Sequence, residues 1–165
     1  MRDEERLELL DVVLDDLDSM AGDHIILIEG MKDKMSLERL IGEFECFMVQ
    51  REGGPLRAAE YVSEHGSKAV ILTDWDNKGE YLAHELSVQL SALCAEYDTE
   101  IRRRLADLCR KDIKDVESLH SMYDRLVRSC DGCPSRRRCI GASPSITFKE
   151  CRYIPNQGCR AEVCS

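Results

Sequence analysis

The stretch "KAVILTDWDNKG", residues 68–79, decides the fold. Its aliphatic run, Val70, Ile71 and Leu72, stops at Asp74, a second aspartate follows at Asp76, and Gly79 opens a segment in which Leu82, Leu86 and Leu90 recur on one side of a helix. Continuous aliphatic residues fit a strand covered on both faces, and the spacing after them fits a helix. Two carboxylates so close at a strand end repel each other unless something positive lies between them.

Reading outward, "HIILIEG" (residues 24–30) is a second such strand, ending in Glu29 and Gly30. Met35, Leu37, Leu40 and Ile41 give "DKMSLERLIGE" helical spacing, and "FECFMVQ" is a further strand. "REGGP" (residues 51–55) reads as a turn, with Pro55 suited to the first turn of the helix that Gly66 closes. At the N-terminus Leu7, Leu10, Leu14 and Leu17 recur at three and four residues, an amphipathic helix. Strand and helix alternate three times, so the expected class is α/β with a mainly parallel sheet and right-handed crossovers. Beyond Tyr97 the chain reads mostly helical, and the first residues of the segment starting at Glu100 are the candidate fourth strand. The expected organisation is an N-terminal helix (1–22), a central domain (23–128) and a cysteine-rich tail (129–165).

Composition fits a globular protein, with 43% hydrophobic and 33% charged residues. No apolar run approaches the ~20 residues that span a bilayer, and the N-terminus is acidic where a signal peptide is basic and apolar; the expectation is a cytoplasmic protein without membrane contact. The net charge of −9 is unevenly spread: residues 1–101 carry 9 Lys and Arg against 24 Asp and Glu, residues 102–165 carry 14 against 8. Such asymmetry fits a polyanionic partner near the C-terminal part, or a solvated basic face. The arginine runs Arg102–Arg104 and Arg136, Arg137 and Arg138 are the candidate phosphate contacts.

Ligands of open parallel sheets bind outside the carboxyl ends of the strands. Glu29 and Gly30 lie at one such end, Asp74, Asp76 and Gly79 at another. Carboxylates converging there suit Mg²⁺, which takes one or two of them and completes its shell with water and substrate phosphate. Glycines at these positions leave backbone room for a phosphate. Alternatively, Asp76 simply caps the next helix.

"IILIEGMKD" and "VILTDWDNKG", in this order and separated by helix, strand and helix, resemble the two defining motifs of the Toprim domain, shared by topoisomerases, bacterial-type primases and several nucleases. The resemblance covers residues 24–117 and implies a four-stranded parallel core. It also implies Glu29 as general acid or base and metal-site carboxylate, with Asp74 and Asp76 as Mg²⁺ ligands. Asp33 matches a frequent acidic position of small Toprim proteins, beside its plainer reading as a charge at a helix N-terminus. Gly53 and Gly54 match a loop near the substrate, or are turn residues only. "KDIKDVESL" (residues 111–119) is similar to the end of the domain in small Toprim nucleases. The chain has no space for the gating parts of a topoisomerase or the polymerase half of a primase. The resemblance therefore implies a small stand-alone Toprim phosphodiesterase, similar to the nucleases that mature 5S ribosomal RNA, cutting structured RNA or DNA. The alternative is a non-catalytic nucleic-acid-binding subunit that works with a protein partner in a replication, repair or RNA-processing complex.

Six of the nine cysteines fall in the tail with the spacing C-x2-C-x5-C-x11-C-x7-C-x4-C. Without a secretion signal, a metal site is favoured over disulfides. Cys130, Cys133 and Cys139 are the first three expected ligands, with Cys151, or Cys159 or Cys164 instead, as the fourth. Zn²⁺ and a [4Fe–4S] cluster both fit an all-cysteine site. Cys46, Cys94 and Cys109 sit in apolar patterns and read as small buried hydrophobes.

Overall fold

The computed structural model describes residues 1–66 and 68–130, together with the backbone of 151–154 and 158–161. The four strands of its main sheet are β1 (His24–Ile28), β2 (Cys46–Met48), β3 (Lys68–Ile71) and β4 (Tyr97–Asp98), all parallel in the order β2-β1-β3-β4. Central β1 pairs Ile26 with Cys46 on one side and Leu27 with Ile71 on the other. The expected α/β class with a parallel four-stranded sheet is what the chain forms.

Period-two alternation sorts the strand residues between two layers. Ile26, Ile28, Val70 and Leu72 face a core shared with α1 (Asp3–Met20), α2 (Met31–Ile41), α6 (Glu100–Cys109) and α7 (Leu119–Ser129). Ile25, Leu27, Ala69 and Ile71 face α4 (Gly54–Glu64) and α5 (Asn77–Ala92) on the other side. Both faces are covered, which is why the strands are aliphatic throughout. Helix α1 is part of this core: Leu7, Leu10, Val13, Leu14 and Leu17 are all buried against it.

Three elements differ from expectation. The fourth strand lies at Tyr97–Asp98, just before the segment from Glu100, because Asp98 turns its carboxylate back to the Ile101 N–H (3.0 Å) and starts α6. The "REGGP" turn is narrower than expected: the short helix α3 (Val49–Glu52) precedes it and α4 begins at Gly54. Gly53, at φ 118°, supplies the left-handed residue between the two helices. In α2, Met35 is half exposed while Asp33 and Ser36 are buried, so polar groups occupy part of the inward stripe.

In the tail, β5 (Cys151–Ile154) and β6 (Gly158–Ala161) pair antiparallel, with Tyr153 opposite Cys159. Cys133, Cys139, Cys164 and Arg136–Arg138 lie outside the described residues. No helix among the described residues is long and apolar enough to cross a membrane.

Candidate functional site: an acidic edge of the sheet

Because β1 and β3 are parallel neighbours, their exits bring Glu29 and Asp74 to the same edge of the sheet. Glu29 accepts the Asp74 backbone N–H through Oε1 (3.1 Å) and the Gln50 side-chain amide through Oε2 (2.8 Å). Gln50 belongs to α3, directly after β2, so three adjacent strands hold this one carboxylate in place. Asp74 accepts the Val116 N–H through Oδ1 at 2.8 Å. The segment between α6 and α7 is clasped over the site by this bond and by two from Trp75, whose backbone N–H reaches Lys114 O (3.0 Å) and whose indole N–H reaches Ile113 O (2.7 Å). Trp75 is thereby a packed anchor against the core.

Asp33, 6% exposed at the start of α2, accepts the Gly30 N–H at 3.0 Å. Asp76 accepts the Gly79 N–H at 2.7 Å and caps α5. The helix-capping reading of Asp76 is therefore realised, and that of Asp33 likewise. Both remain in the field of the site. Burial raises the Glu29 pKa, against the pull of the Asp74 N–H, and the charges of Asp33 and Asp76 push it further up. Asp74 is pushed up to about 7, first by burial, then by Glu29, Asp33 and Asp115, with the Val116 N–H acting the other way. Asp33 is raised too, by burial first and then by Glu117 and Asp115. The acidic edge is a group of carboxylates that hold one another uncomfortably, as like charges in a partly desolvated place must.

One cation enters. Arg102 is 7% exposed and donates from Nε to Thr73 O and Oγ1 (3.1 Å each), from Nη2 to Asp74 O (2.6 Å) and from Nη1 to Glu80 (3.0 Å). It braces the backbone of the strand exit, with its charge shared by Glu80. Gly79 completes the brace: a Cβ there would lie 1.8 Å from Asp74 O, so helix α5 begins in direct contact with the strand exit. Its role is this close approach of backbone to backbone. At Gly30 a Cβ would meet nothing within 4 Å.

The expected site residues thus separate into groups. Glu29, Asp33, Asp74 and Asp76 share one edge. Gly30 and Gly79 sit beside them, while Gly53 and Gly54 serve the α3–α4 turn with φ values of 118° and 88°. Arg102, Arg103 and Arg104 do not form a phosphate patch, since Arg103 pairs with Glu100 and Asp107 and Arg104 with Asp16. Cys130 is buried in the core at the end of α7. Of the other expected thiol ligands, Cys151 and Cys159 are described in backbone only. Among the described residues, no group of three or more His, Cys, Asp or Glu side chains is placed to hold a metal ion. The sequence does not mark Gln50 or Asp115, and it marks Arg102 as a phosphate contact, not as the brace it forms. Asp115 has a signal in its similarity to the end of the Toprim domain, whereas the bonds of Gln50 and Arg102 reach across 21 and 28 residues of chain and leave none.

No family model matches the chain. It is 36% identical over 134 residues to a UPF0292 protein of Methanosarcina barkeri, an alignment covering 79% of this chain and 92% of the relative. UPF0292 proteins of Thermococcus sibiricus (36% over 121 residues, 73% and 93%) and Pyrococcus abyssi (34% over 122 residues, 74% and 89%) are similar to the same degree. Among solved structures, a putative protein from Aquifex aeolicus shares the fold, with a TM-score of 0.56, 22% identity, and coverage of 66% of this chain and 96% of that one. With about a third of the aligned residues identical over nearly the whole length of these relatives, the chain belongs to the UPF0292 family.

Proposed function

We propose that this protein is a Toprim phosphodiesterase, Mg²⁺-dependent, acting on structured RNA or DNA. The observation that carries the reading is the acidic edge, where Glu29 and Asp74 leave adjacent strands side by side with Asp33, Asp76 and Asp115 in their field. The donor set fits the metal: carboxylate oxygens are the hard ligands Mg²⁺ takes, and their mutual repulsion is what a divalent cation relieves. Asp74 and Asp76 would hold it together with Glu29, each keeping its backbone N–H bond. When bound, Mg²⁺ supplies Lewis-acid polarisation of a phosphoryl oxygen and a bound water of lowered pKa. Glu29 handles the proton, since its raised pKa lets it exchange protons nearer neutrality than an ordinary carboxylate and its bonds to Gln50 and the Asp74 N–H fix its direction. Arg102 keeps the Asp74 backbone where this requires. The tail cysteines, as a Zn²⁺ or [4Fe–4S] module, belong to the same proposal.

A second reading has one observation in its favour: Glu29, Asp74 and Asp76 all accept backbone N–H bonds that brace the fold. In that reading the edge is structural and the protein binds nucleic acid without turnover, as a subunit alongside a protein partner. Anaerobically purified protein incubated with labelled structured RNA, single-stranded DNA and duplex DNA, in Mg²⁺ or EDTA, separates the two. Cleavage that needs Mg²⁺ and falls at least a hundredfold in Glu29→Gln is the expected result. Binding without cleavage supports the accessory subunit, and cleavage unchanged in Glu29→Gln contradicts the assigned role.

A further inference from the structure

A cavity of about 330 Å³ lies between α2 and the start of α7, its lining including Lys32, Ser36, Arg39, Glu117, His120 and Ser121. It adjoins the acidic edge, because Lys32 and Ser36 flank Asp33 on α2 and the Glu117 charge is felt at Asp33. Its interior is built around Ser36, 1% exposed, whose Oγ lies 3.2 Å from both the backbone N and Nδ1 of His120. Arg39 Nη1 stands 2.9 Å from His120 Nε2. A guanidinium only donates, so Nε2 is the acceptor here and the ring proton lies on Nδ1, toward Ser36. Arg39 makes no ion pair with a carboxylate among the described residues; its contact there is with the His120 ring. Among the described residues Lys32 pairs loosely with Glu117 at 3.8 Å. Helix α7 begins at the cavity with its first amides already engaged, Ser118 N–H by Asp115 (2.8 Å), Leu119 N–H by Val116 O (3.1 Å) and His120 N–H by Ser36 Oγ (3.2 Å), which leaves the cationic side chains of α2 as the donors facing it. Glu117 is the one opposing charge, offset by Lys32.

We propose that this cavity is a subsite for a backbone phosphate of the nucleic-acid strand, flanking the phosphate at the acidic edge. The inference rests on the reading that this edge meets a nucleic-acid strand. Arg39 donates to the phosphate oxygens with Lys32, and Ser36 keeps His120 from turning away. Six residues of helix separate Asp33 from Arg39, about 9 Å along the axis. That separation places the subsite beyond hydrogen-bond reach of a phosphate held at the acidic edge, so it takes a different phosphate of the same strand.

The test measures binding of labelled RNA and DNA oligonucleotides by anisotropy in EDTA, over a range of salt, to wild type, Arg39→Gln and Arg39→Lys, with inorganic phosphate as competitor. Arg39 is exposed, so its replacement leaves the core untouched. The expected result is about tenfold weaker binding in Arg39→Gln with a salt slope shallower by about one ion, and partial recovery in Arg39→Lys. Wild-type protein that binds no oligonucleotide, or Arg39→Gln that binds as wild type does, overturns the proposal. Inorganic phosphate that competes as well as an oligonucleotide overturns it too, marking a small-anion site. Arg39-dependent binding without Mg²⁺-dependent cleavage upholds the subsite while the phosphodiesterase reading fails. Cleavage and binding both indifferent to Arg39 do the reverse.

Discussion

Asp74 is where the chemistry of single residues is most exposed to test. Its carboxyl is pushed from 3.8 to about 7, so the folded metal-free protein holds a proton there more tightly than the unfolded chain does. Stability from this group is fully present below pH 3.8 and is lost as pH rises to about 7. Glu29 and Asp33 shift in the same direction. In EDTA, the melting temperature of wild type relative to Asp74→Asn is therefore expected to fall between pH 4 and pH 7.5, and Mg²⁺ at the upper pH restores it. A difference that stays flat with pH would show that Asp74 is not held in this strained state. The two aspartates, Glu29 and Asp33 were all legible from the sequence, because acidic residues after aliphatic runs mark strand ends. Their partners Gln50, Arg102 and the Val116 N–H were not, since through-space contacts leave no local spacing.

At the scale of elements, the junction of β3 with α5 decides whether the acidic edge is positioned. Replacing a glycine inside a helix by alanine ordinarily adds about 1 kcal/mol of stability. Gly79→Ala is expected to do the opposite, since its Cβ would sit 1.8 Å from Asp74 O and the shift this forces costs roughly 1–3 kcal/mol or more. Chemical denaturation checks this, with Gly30→Ala as the control that changes little, because its Cβ meets nothing. Equal stabilities would contradict the close approach. The long periodic elements were readable: the stripe of α1 and the aliphatic strands bury as their spacing implies. What escaped was local. Two-residue β4 is too short to show a period, and three consecutive arginines on a helix turn by about 100° each, so Arg102 points inward while Arg103 and Arg104 find different carboxylates. In α2 the apolar stripe is interrupted by Asp33 and Ser36, and this departure marks the candidate site and the adjoining cavity.

For the whole molecule, one parallel sheet with helices on both faces places its buried polar groups beyond the strand ends: of Asp33, Ser36, Thr73 and Arg102, the buried polar side chains among the described residues, Asp33 and Thr73 follow the exits of β1 and β3, Arg102 bonds Thr73, and Ser36 lies on the second turn of α2 against His120. Buried polar groups are costly unless satisfied, and each of these four has a hydrogen-bond partner within the fold. The most direct measurement is calorimetric titration of Mg²⁺ into EDTA-stripped protein at pH 7, wild type against Asp74→Asn and Glu29→Gln, with circular dichroism confirming the fold of each. One Mg²⁺ site in wild type, lost or weakened at least tenfold in Asp74→Asn, is the result expected of a divalent-cation centre at this edge. No binding in wild type, or binding that survives Asp74→Asn unchanged, would contradict it and leave the carboxylates as braces of the fold.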